Sequence, residues 1–104
     1  MKPLVFLGSS LDTLRAFPGT VRRTIGFELW QVQNGLPPHD FRPMPDVGPG
    51  VYEIRTHRSG EWRVIYVAKF DDAVYVLHAF EKKSRTTRLQ DIRLARQRYL
   101  WINR

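Results

Sequence analysis

Basic side chains recur at the ends of three predicted strands, VYEIRT, WRVIYVAKF and AVYVLHAF. Arg55 lies near the end of the first strand, Arg63 near the start of the second, and Lys82 and Lys83 follow the third. The turn HRSGE joins the first two strands, so their pairing brings Arg55 and Arg63 together. Arg63 begins an apolar row and therefore needs an anionic partner. That partner is either a phosphate or Glu53, in which case the ion pair is merely structural.

The three histidines, His39, His57 and His78, are scattered, and no zinc-type spacing, phosphate loop or Gly-x-Ser-x-Gly motif occurs in the sequence. His78, within an apolar strand, is more simply a buried imidazole than a catalyst. His57, in a turn beside Arg58, is either an ordinary surface residue or a group that contacts RNA or shuttles a proton. The chain has no cysteine, which excludes thiolate metal sites and a cysteine nucleophile. We predict no metal site.

Positive charge is concentrated at the end of the chain. The 104 residues carry a net charge of +7, and eight basic but only two acidic residues lie within 81–104. This asymmetry favours a polyanion or an acidic protein as partner, and a solvated helix face is the alternative. No apolar run is long enough to span a bilayer, and the sequence MKPLVFLGSSLD turns polar too early for a signal peptide. We predict a cytoplasmic protein.

The hydrophobic pattern predicts one α+β domain over residues 1–104. A short strand at residues 3–7 precedes a helical hairpin, whose second helix begins near Pro18 and ends at Asn34-Gly35. Residues 35–50 are crowded with proline and glycine and predict a surface loop.

The second half of the sequence predicts three strands and a helix. The strands are joined by two tight turns and form an antiparallel meander. A basic helix follows, in which Thr87 and Gln90 have the spacing of a capping box and Leu89 begins the apolar face.

The segments GVYEIR, WRVIYVAKF, VYVLHAFEKKS and DIRLARQRY, with PLVFLGSSLDTLRAFP near the start, resemble the RelE/HigB superfamily of toxins, in particular its phage-derived HigB-like branch. The resemblance implies a microbial-RNase-type fold, with an N-terminal helical hairpin packed on an antiparallel sheet and a basic C-terminal helix. It implies the toxin of a type II toxin–antitoxin module, an endoribonuclease that cuts mRNA in the ribosomal A site without a metal or organic cofactor. The implied partners are a cognate helix-turn-helix antitoxin, mRNA and ribosomal RNA. Operator DNA would be bound only through the antitoxin complex, and no membrane is involved.

The same resemblance implies roles for individual residues. Arg63 would stabilise the transition-state phosphate, Lys82 or Lys83 would act as phosphate clamp or general acid, and Arg55 would position the RNA. Glu53 stands where some RelE members have lysine, so a lysine base is unavailable there and the general base is open. A non-catalytic basic RNA- or ribosome-binding protein on the same scaffold is therefore the alternative. Further RNA-binding candidates are His57, Arg58, Lys69, Arg85 and Arg88.

Overall fold

The computed structural model describes residues 1–102; Arg104, part of the basic tail, lies outside the described residues. The elements are β1 (Leu4–Phe6), α1 (Ser10–Arg15), α2 (Gly19–Gln33), β2 (Phe41–Pro43), β3 (Val51–Thr56), β4 (Trp62–Val67), β5 (Val74–Glu81) and α3 (Leu89–Tyr99). The strands form one sheet in the order β1-β5-β4-β3-β2. The predicted α+β class is confirmed. No helix within the described range is long and apolar enough to cross a membrane.

The sheet is mixed rather than wholly antiparallel. The meander of β3, β4 and β5 is antiparallel as predicted, whereas β1 runs parallel to β5. The prediction that residues 35–50 are only a loop is wrong, because β2 pairs with β3 inside that segment. A strand of three residues is too short to show alternation, and an edge strand can end in Pro43 because its outer side needs no donor.

The two faces of the sheet are covered by different elements. On one face, Val21, Ile25 and Leu29 of α2 are buried in the same cluster as Ile54 and Val64 of the sheet. On the other face, α3 and residues 44–47 cover a second cluster. Every residue of β4 is buried, as expected for a central strand with both faces covered.

A β-bulge interrupts the pairing of β4 with β5. Ile65 pairs with His78, but the next residue, Tyr66, pairs with Val76, so Leu77 has no residue opposite it. As a result Leu77 and Phe80, three residues apart, belong to the same α3-side core. Regular alternation would place two residues separated by three on opposite faces.

The start of α3 differs from the prediction. Arg88 is the N-cap residue, and the helix has no side-chain cap, so the capping box of Thr87 and Gln90 is wrong. The Thr87 hydroxyl instead donates to Glu53 on β3. Leu89, expected on the buried face, is 57% exposed because α3 packs through residues further along the helix.

Polar contacts hold α3 to the sheet. His78 on β5 and Asp91 on α3 form a buried hydrogen bond of 2.7 Å. The buried guanidinium of Arg98 donates to the Leu77 carbonyl and to Ser9 Oγ, both at 2.9 Å. Gly8 lies against this guanidinium with φ of +56°, a conformation and a close approach that both require glycine.

Candidate functional site

The centre of the candidate site is the carboxylate of Glu53 on β3, whose side chain is fully buried. Glu53 accepts hydrogen bonds from Arg42 Nε at 3.1 Å and from Thr87 Oγ1 at 3.0 Å. Arg42 and Glu53 are directly opposite each other on β2 and β3, which places both on the α3 side of the sheet. A buried carboxylate is stable only when it is paired and hydrogen-bonded, as here.

Arg63 lies beside this carboxylate and is held from several directions. Its side chain is 5% exposed, and its Nε lies 3.8 Å from Glu53 Oε1. Its Nη2 donates to Glu61 Oε1 at 2.9 Å, and its Nη1 donates to the Trp62 carbonyl at 3.0 Å. These contacts fix the orientation of the guanidinium in the free protein.

Arg55 and Arg63 are cross-strand partners on β3 and β4, as the turn HRSGE predicted. Arg55 is one-third exposed, and its Nε lies 3.4 Å from Asp40 Oδ1. Two like charges directly opposite in a sheet repel each other. Each arginine accordingly has its own carboxylate, Asp40 for Arg55 and Glu61 for Arg63.

The two consecutive lysines occupy different environments. Partial burial and then the positive charge of Arg63 lower the pKa of Lys82, and Arg42 and Arg55 act in the same direction. The Lys82 amide donates to the Glu61 carbonyl at 2.7 Å, which places Lys82 next to the start of β4, where Arg63 lies. Lys83 is 79% exposed and lies 3.7 Å from Glu81, so the structure does not bring it to the site.

His57 bridges the two carboxylates that hold the arginines. Its Nε2 lies 2.6 Å from Asp40 Oδ2, and its Nδ1 lies 2.8 Å from Glu61 Oε1. Hydrogen bonds to Asp40 and then to Glu61 raise the pKa of His57. The hydrogen bond from His57, followed by that from Arg63, lowers the pKa of Glu61. The imidazole is thus favoured in its charged form, in which both ring nitrogens donate.

We call Arg42, Arg55, Arg63 and Lys82 the basic cluster. Its members come from β2, β3, β4 and the segment after β5, and they share the α3 side of the sheet with the buried Glu53. Guanidinium and ammonium groups gathered in this way bind phosphate through charge-assisted hydrogen bonds. In a phosphoryl-transfer reaction they would also stabilise charge that develops on the phosphorus oxygens.

Residues 12–100 match the family described as phage derived protein Gp49-like (DUF891), and this range includes the whole basic cluster. The chain belongs to the Gp49-like family. It is a family of RelE/HigB-type toxin-like proteins, so the resemblance to that superfamily is confirmed. Membership relates this Gp49-like protein to the toxins of toxin–antitoxin modules and suggests an antitoxin as its partner. No curated protein matches the chain.

The other predicted RNA-binding residues of this Gp49-like protein are more dispersed. Arg58 is exposed in the turn next to His57, and Arg85 is exposed between β5 and α3. Arg88 pairs with Asp91 at 3.5 Å. Lys69 lies beyond the opposite end of β4, where its Nζ is 5.2 Å from the centre of the Phe70 ring. Of the five predicted RNA-binding residues, all within the described range, only His57 belongs to the hydrogen-bond network that holds the basic cluster.

Four residues of the site are not predicted from the sequence: Arg42 and Thr87, which contact Glu53, and Asp40 and Glu61, which hold Arg55 and Arg63. Arg42 lies among prolines, and no alternation marked β2 as a strand that would aim it at Glu53. Thr87 was assigned to a helix cap, a local role that its hydrogen bond to Glu53 replaces. The available signal was the acidic residue at position 53, since a carboxylate in an apolar strand requires more partners than Arg63 alone.

Within the part of the chain that the structure describes, the acidic residues do not gather as metal ligands. Among residues 1–102, no three His, Cys, Asp or Glu side chains are grouped closely enough to hold a metal ion. The three acids nearest the basic cluster are Asp40, Glu53 and Glu61, and each is engaged by basic side chains.

Proposed function

We propose that this Gp49-like protein is a toxin of the HigB branch of type II toxin–antitoxin modules, and that it cuts mRNA in the ribosomal A site. The observation that carries the proposal is the basic cluster, in which four cationic side chains share one sheet face with a buried carboxylate that two of them, Arg42 and Arg63, approach directly. The family relationship supports a toxin-like role. Positive charge in excess of local acid favours RNA phosphate as the ligand.

Cleavage would begin when a ribose 2′-hydroxyl gives up its proton to solvent water and attacks the adjacent phosphate, and the P–O5′ bond then breaks to leave a 2′,3′-cyclic phosphate and a free 5′-hydroxyl. The phosphorane that forms carries more negative charge than the bound RNA, so a fixed guanidinium stabilises it preferentially. Arg63 suits this role because Glu61 and the Trp62 carbonyl already orient it. Arg42 and Arg55 would bind the negatively charged phosphates that flank the reacting one. Binding and catalysis would use only side chains of the protein, with no metal and no organic cofactor.

Lys82 is the candidate proton donor to the departing 5′-oxygen. Its lowered pKa makes loss of the proton easier than from an ordinary lysine. We assign Glu53 to the role of counter-ion and not to that of general base, because its side chain is fully buried, out of reach of a substrate hydroxyl, and lies between Arg42 and Thr87. A base must accept the substrate proton through a free lone pair within hydrogen-bond reach.

The second candidate function is a non-catalytic RNA- or ribosome-binding protein. The observation that favours it is the complete burial of Glu53, which leaves the basic cluster without an assigned base. Both candidates bind RNA phosphate, so binding alone does not separate them. Single-turnover incubation with programmed ribosomes does, because only the first candidate leaves cut mRNA.

The decisive variants are Arg63→Ala and Arg63→Lys. Removal of one preorganised donor typically lowers a rate by about 10²–10³-fold. Lysine should restore activity incompletely because it lacks the planar two-pronged donor geometry. The matched control is Arg23→Ala, which removes an exposed arginine from α2. Cleavage, thermal unfolding and ribosome binding are measured together, and parent-like cutting by a folded Arg63→Ala protein would refute the assignment.

The proposed partners follow from the proposed reaction. They are mRNA, ribosomal RNA and a cognate helix-turn-helix antitoxin, with operator DNA reached only through the antitoxin complex, and the proposed location is the cytoplasm. The test is co-purification of tagged protein with the product of the adjacent gene, followed by the cleavage assay. A purified complex that cuts mRNA as fast as the free protein would contradict inhibition by binding.

A further inference from the structure

His57 lies at the centre of a row of charged side chains beside the basic cluster. In order of contact, the members of the row are Arg55, Asp40, His57, Glu61 and Arg63. The imidazole contacts the two carboxylates at 2.6 Å and 2.8 Å, and these contact the two arginines at 3.4 Å and 2.9 Å. Each carboxylate therefore has two partners, one arginine of its own and the imidazole that both carboxylates share.

The main chain keeps both carboxylates beside the basic cluster. The Arg55 amide donates to the Asp40 carbonyl at 2.9 Å, and the Lys82 amide donates to the Glu61 carbonyl at 2.7 Å. These bonds do not involve the imidazole, so they remain when the charge of His57 changes. The two negative charges therefore stay close to any phosphate that the arginines bind.

The middle of the row is open to solvent. The side chains of Asp40, His57 and Glu61 are 38%, 49% and 45% exposed. RNA bound at the cluster therefore meets the carboxylates as well as the arginines. A phosphate that binds Arg55 or Arg63 competes with these carboxylates for the N–H donors of the same guanidinium groups.

We propose that His57 is a positioning residue for RNA, which keeps Asp40 and Glu61 paired while an RNA phosphate occupies the arginines of the row. The inference rests on the proposed function, since it assumes that the basic cluster binds RNA. An imidazolium donates from both ring nitrogens, so it pairs with both carboxylates at once. A neutral imidazole donates from one nitrogen only. One carboxylate would then be unpaired beside the phosphate and would repel it.

The groups that face His57 determine its charge. They are two carboxylates in contact with it, two arginines beyond them and an exposed arginine in the same turn: Asp40, Glu61, Arg55, Arg63 and Arg58. Hydrogen bonds to Asp40 and then to Glu61 raise the pKa of His57. Affinity for RNA should therefore be highest below this raised pKa and fall as the pH rises through it. We expect a fall of about three- to tenfold, the size that two half-exposed ion pairs produce.

The test measures the affinity of the full chain for a short oligomer of 2′-O-methyladenosine without terminal phosphates, at fixed ionic strength between about pH 5 and pH 9. The oligomer cannot be cut because its 2′-hydroxyls are blocked, and its phosphodiesters do not titrate in this range. His57→Gln should bind less tightly than the parent at acidic pH and equally at alkaline pH. His39→Gln removes another exposed imidazole, which pairs with Glu28 of α2, and this control should keep the parent's pH profile.

A double-mutant cycle separates positioning from a direct contact between His57 and RNA. In a second background, Asp40→Asn and Glu61→Gln remove both carboxylates. At about pH 5, His57→Gln should lower affinity about three- to tenfold in the parent but less than about twofold in this background, because no carboxylate is left to pair. Circular dichroism checks that every variant is folded.

Three results would overturn the inference: a flat pH profile in the parent, a parent-like profile in His57→Gln, or an equal cost of His57→Gln in both backgrounds. None of them affects the proposed function, which requires that the parent binds RNA and cuts mRNA on programmed ribosomes. If the parent does not bind the oligomer at any pH, RNA binding by the basic cluster is refuted and the inference fails with it.

Discussion

The substitution Glu53→Gln tests whether the buried carboxylate is a counter-ion or a general base. Glutamine keeps the shape of the side chain but removes the charge. The fully buried Glu53 accepts from Arg42 and Thr87 and lies 3.8 Å from Arg63. The amide of glutamine would also direct N–H donors toward groups that need an acceptor. The substitution Glu53→Gln therefore removes the ion pair and also part of the hydrogen-bond network around position 53.

Breaking a buried ion pair typically costs about 3–5 kcal/mol, because one charge remains uncompensated. The lower limit applies here, since Arg42 is partly exposed and Arg63 retains Glu61. We therefore expect a loss of about 3 kcal/mol in the free energy of unfolding. For a domain of this size each kcal/mol lowers Tm by about 4–8 °C, so Tm should fall by roughly 12–24 °C.

The assay combines thermal unfolding by circular dichroism with single-turnover mRNA cleavage at a temperature where the variant is folded. A counter-ion role predicts a large fall in Tm with a rate less than about 10²-fold below the parent rate, because loss of a general base costs about 10²–10⁴-fold. The folded variant should still bind ribosomes. If the variant is as stable as the parent but its cleavage rate falls by more than about 10²-fold, the reasoning is refuted and Glu53 is the base.

The remaining predictions concern α3, the titration of two histidines and the metal requirement. Arg98→Ala should lower the free energy of unfolding in urea by about 2–3 kcal/mol, because it removes the donor from the buried Leu77 carbonyl and a second hydrogen bond to the Ser9 hydroxyl; a loss no greater than that of the exposed Arg93→Ala would contradict this. Hydrogen bonds to two carboxylates raise the pKa of His57 above 6.5, so its stabilisation is complete below pH 6.5 and is lost as pH rises through the folded pKa. His57→Gln should abolish that slope in denaturation measured across pH. Burial lowers the pKa of His78, so the sign is opposite and stability is lost as pH falls below 6.5 toward the folded pKa; a His78→Gln protein with the parent's acid-side slope would be inconsistent with this. Cleavage should continue when cobalt hexammine replaces magnesium on assembled ribosomes, and loss of cutting with A-site binding intact would indicate a catalytic metal.

The helix α2, which has several helical turns, and the strands in which residues alternate regularly between two faces could be predicted from the sequence. VYEIRT and WRVIYV alternate around a short turn, and the predicted approach of Arg55 and Arg63 is confirmed by their pairing. The buried face of α2 at Val21, Ile25 and Leu29 follows its helical spacing. In these segments local pattern and tertiary packing favour the same structure.

The parts that the sequence did not reveal depend on contacts between distant residues. Arg42 and Thr87 lie 45 positions apart and meet only because both approach Glu53. Local spacing at Thr87 favoured a helix cap, but the buried carboxylate is a stronger attraction for its hydroxyl than an exposed helix terminus. Short edge strands such as β2 are formed by their neighbour and carry little signal of their own.

The bulge at Leu77 decides which of two adjacent lysines reaches the basic cluster. Before the bulge the odd-numbered residues of β5, such as Tyr75, face α3, whereas after it the even-numbered Phe80 does so. If the same alternation continues into the segment after β5, Lys82 lies on the α3 side of the sheet and Lys83 lies on the opposite side. Without the extra residue the alternation would be reversed, and Lys83 rather than Lys82 would lie on the α3 side with the basic cluster. The identity of the site's lysine is thus encoded about five residues upstream, in a strand irregularity rather than in the lysines themselves.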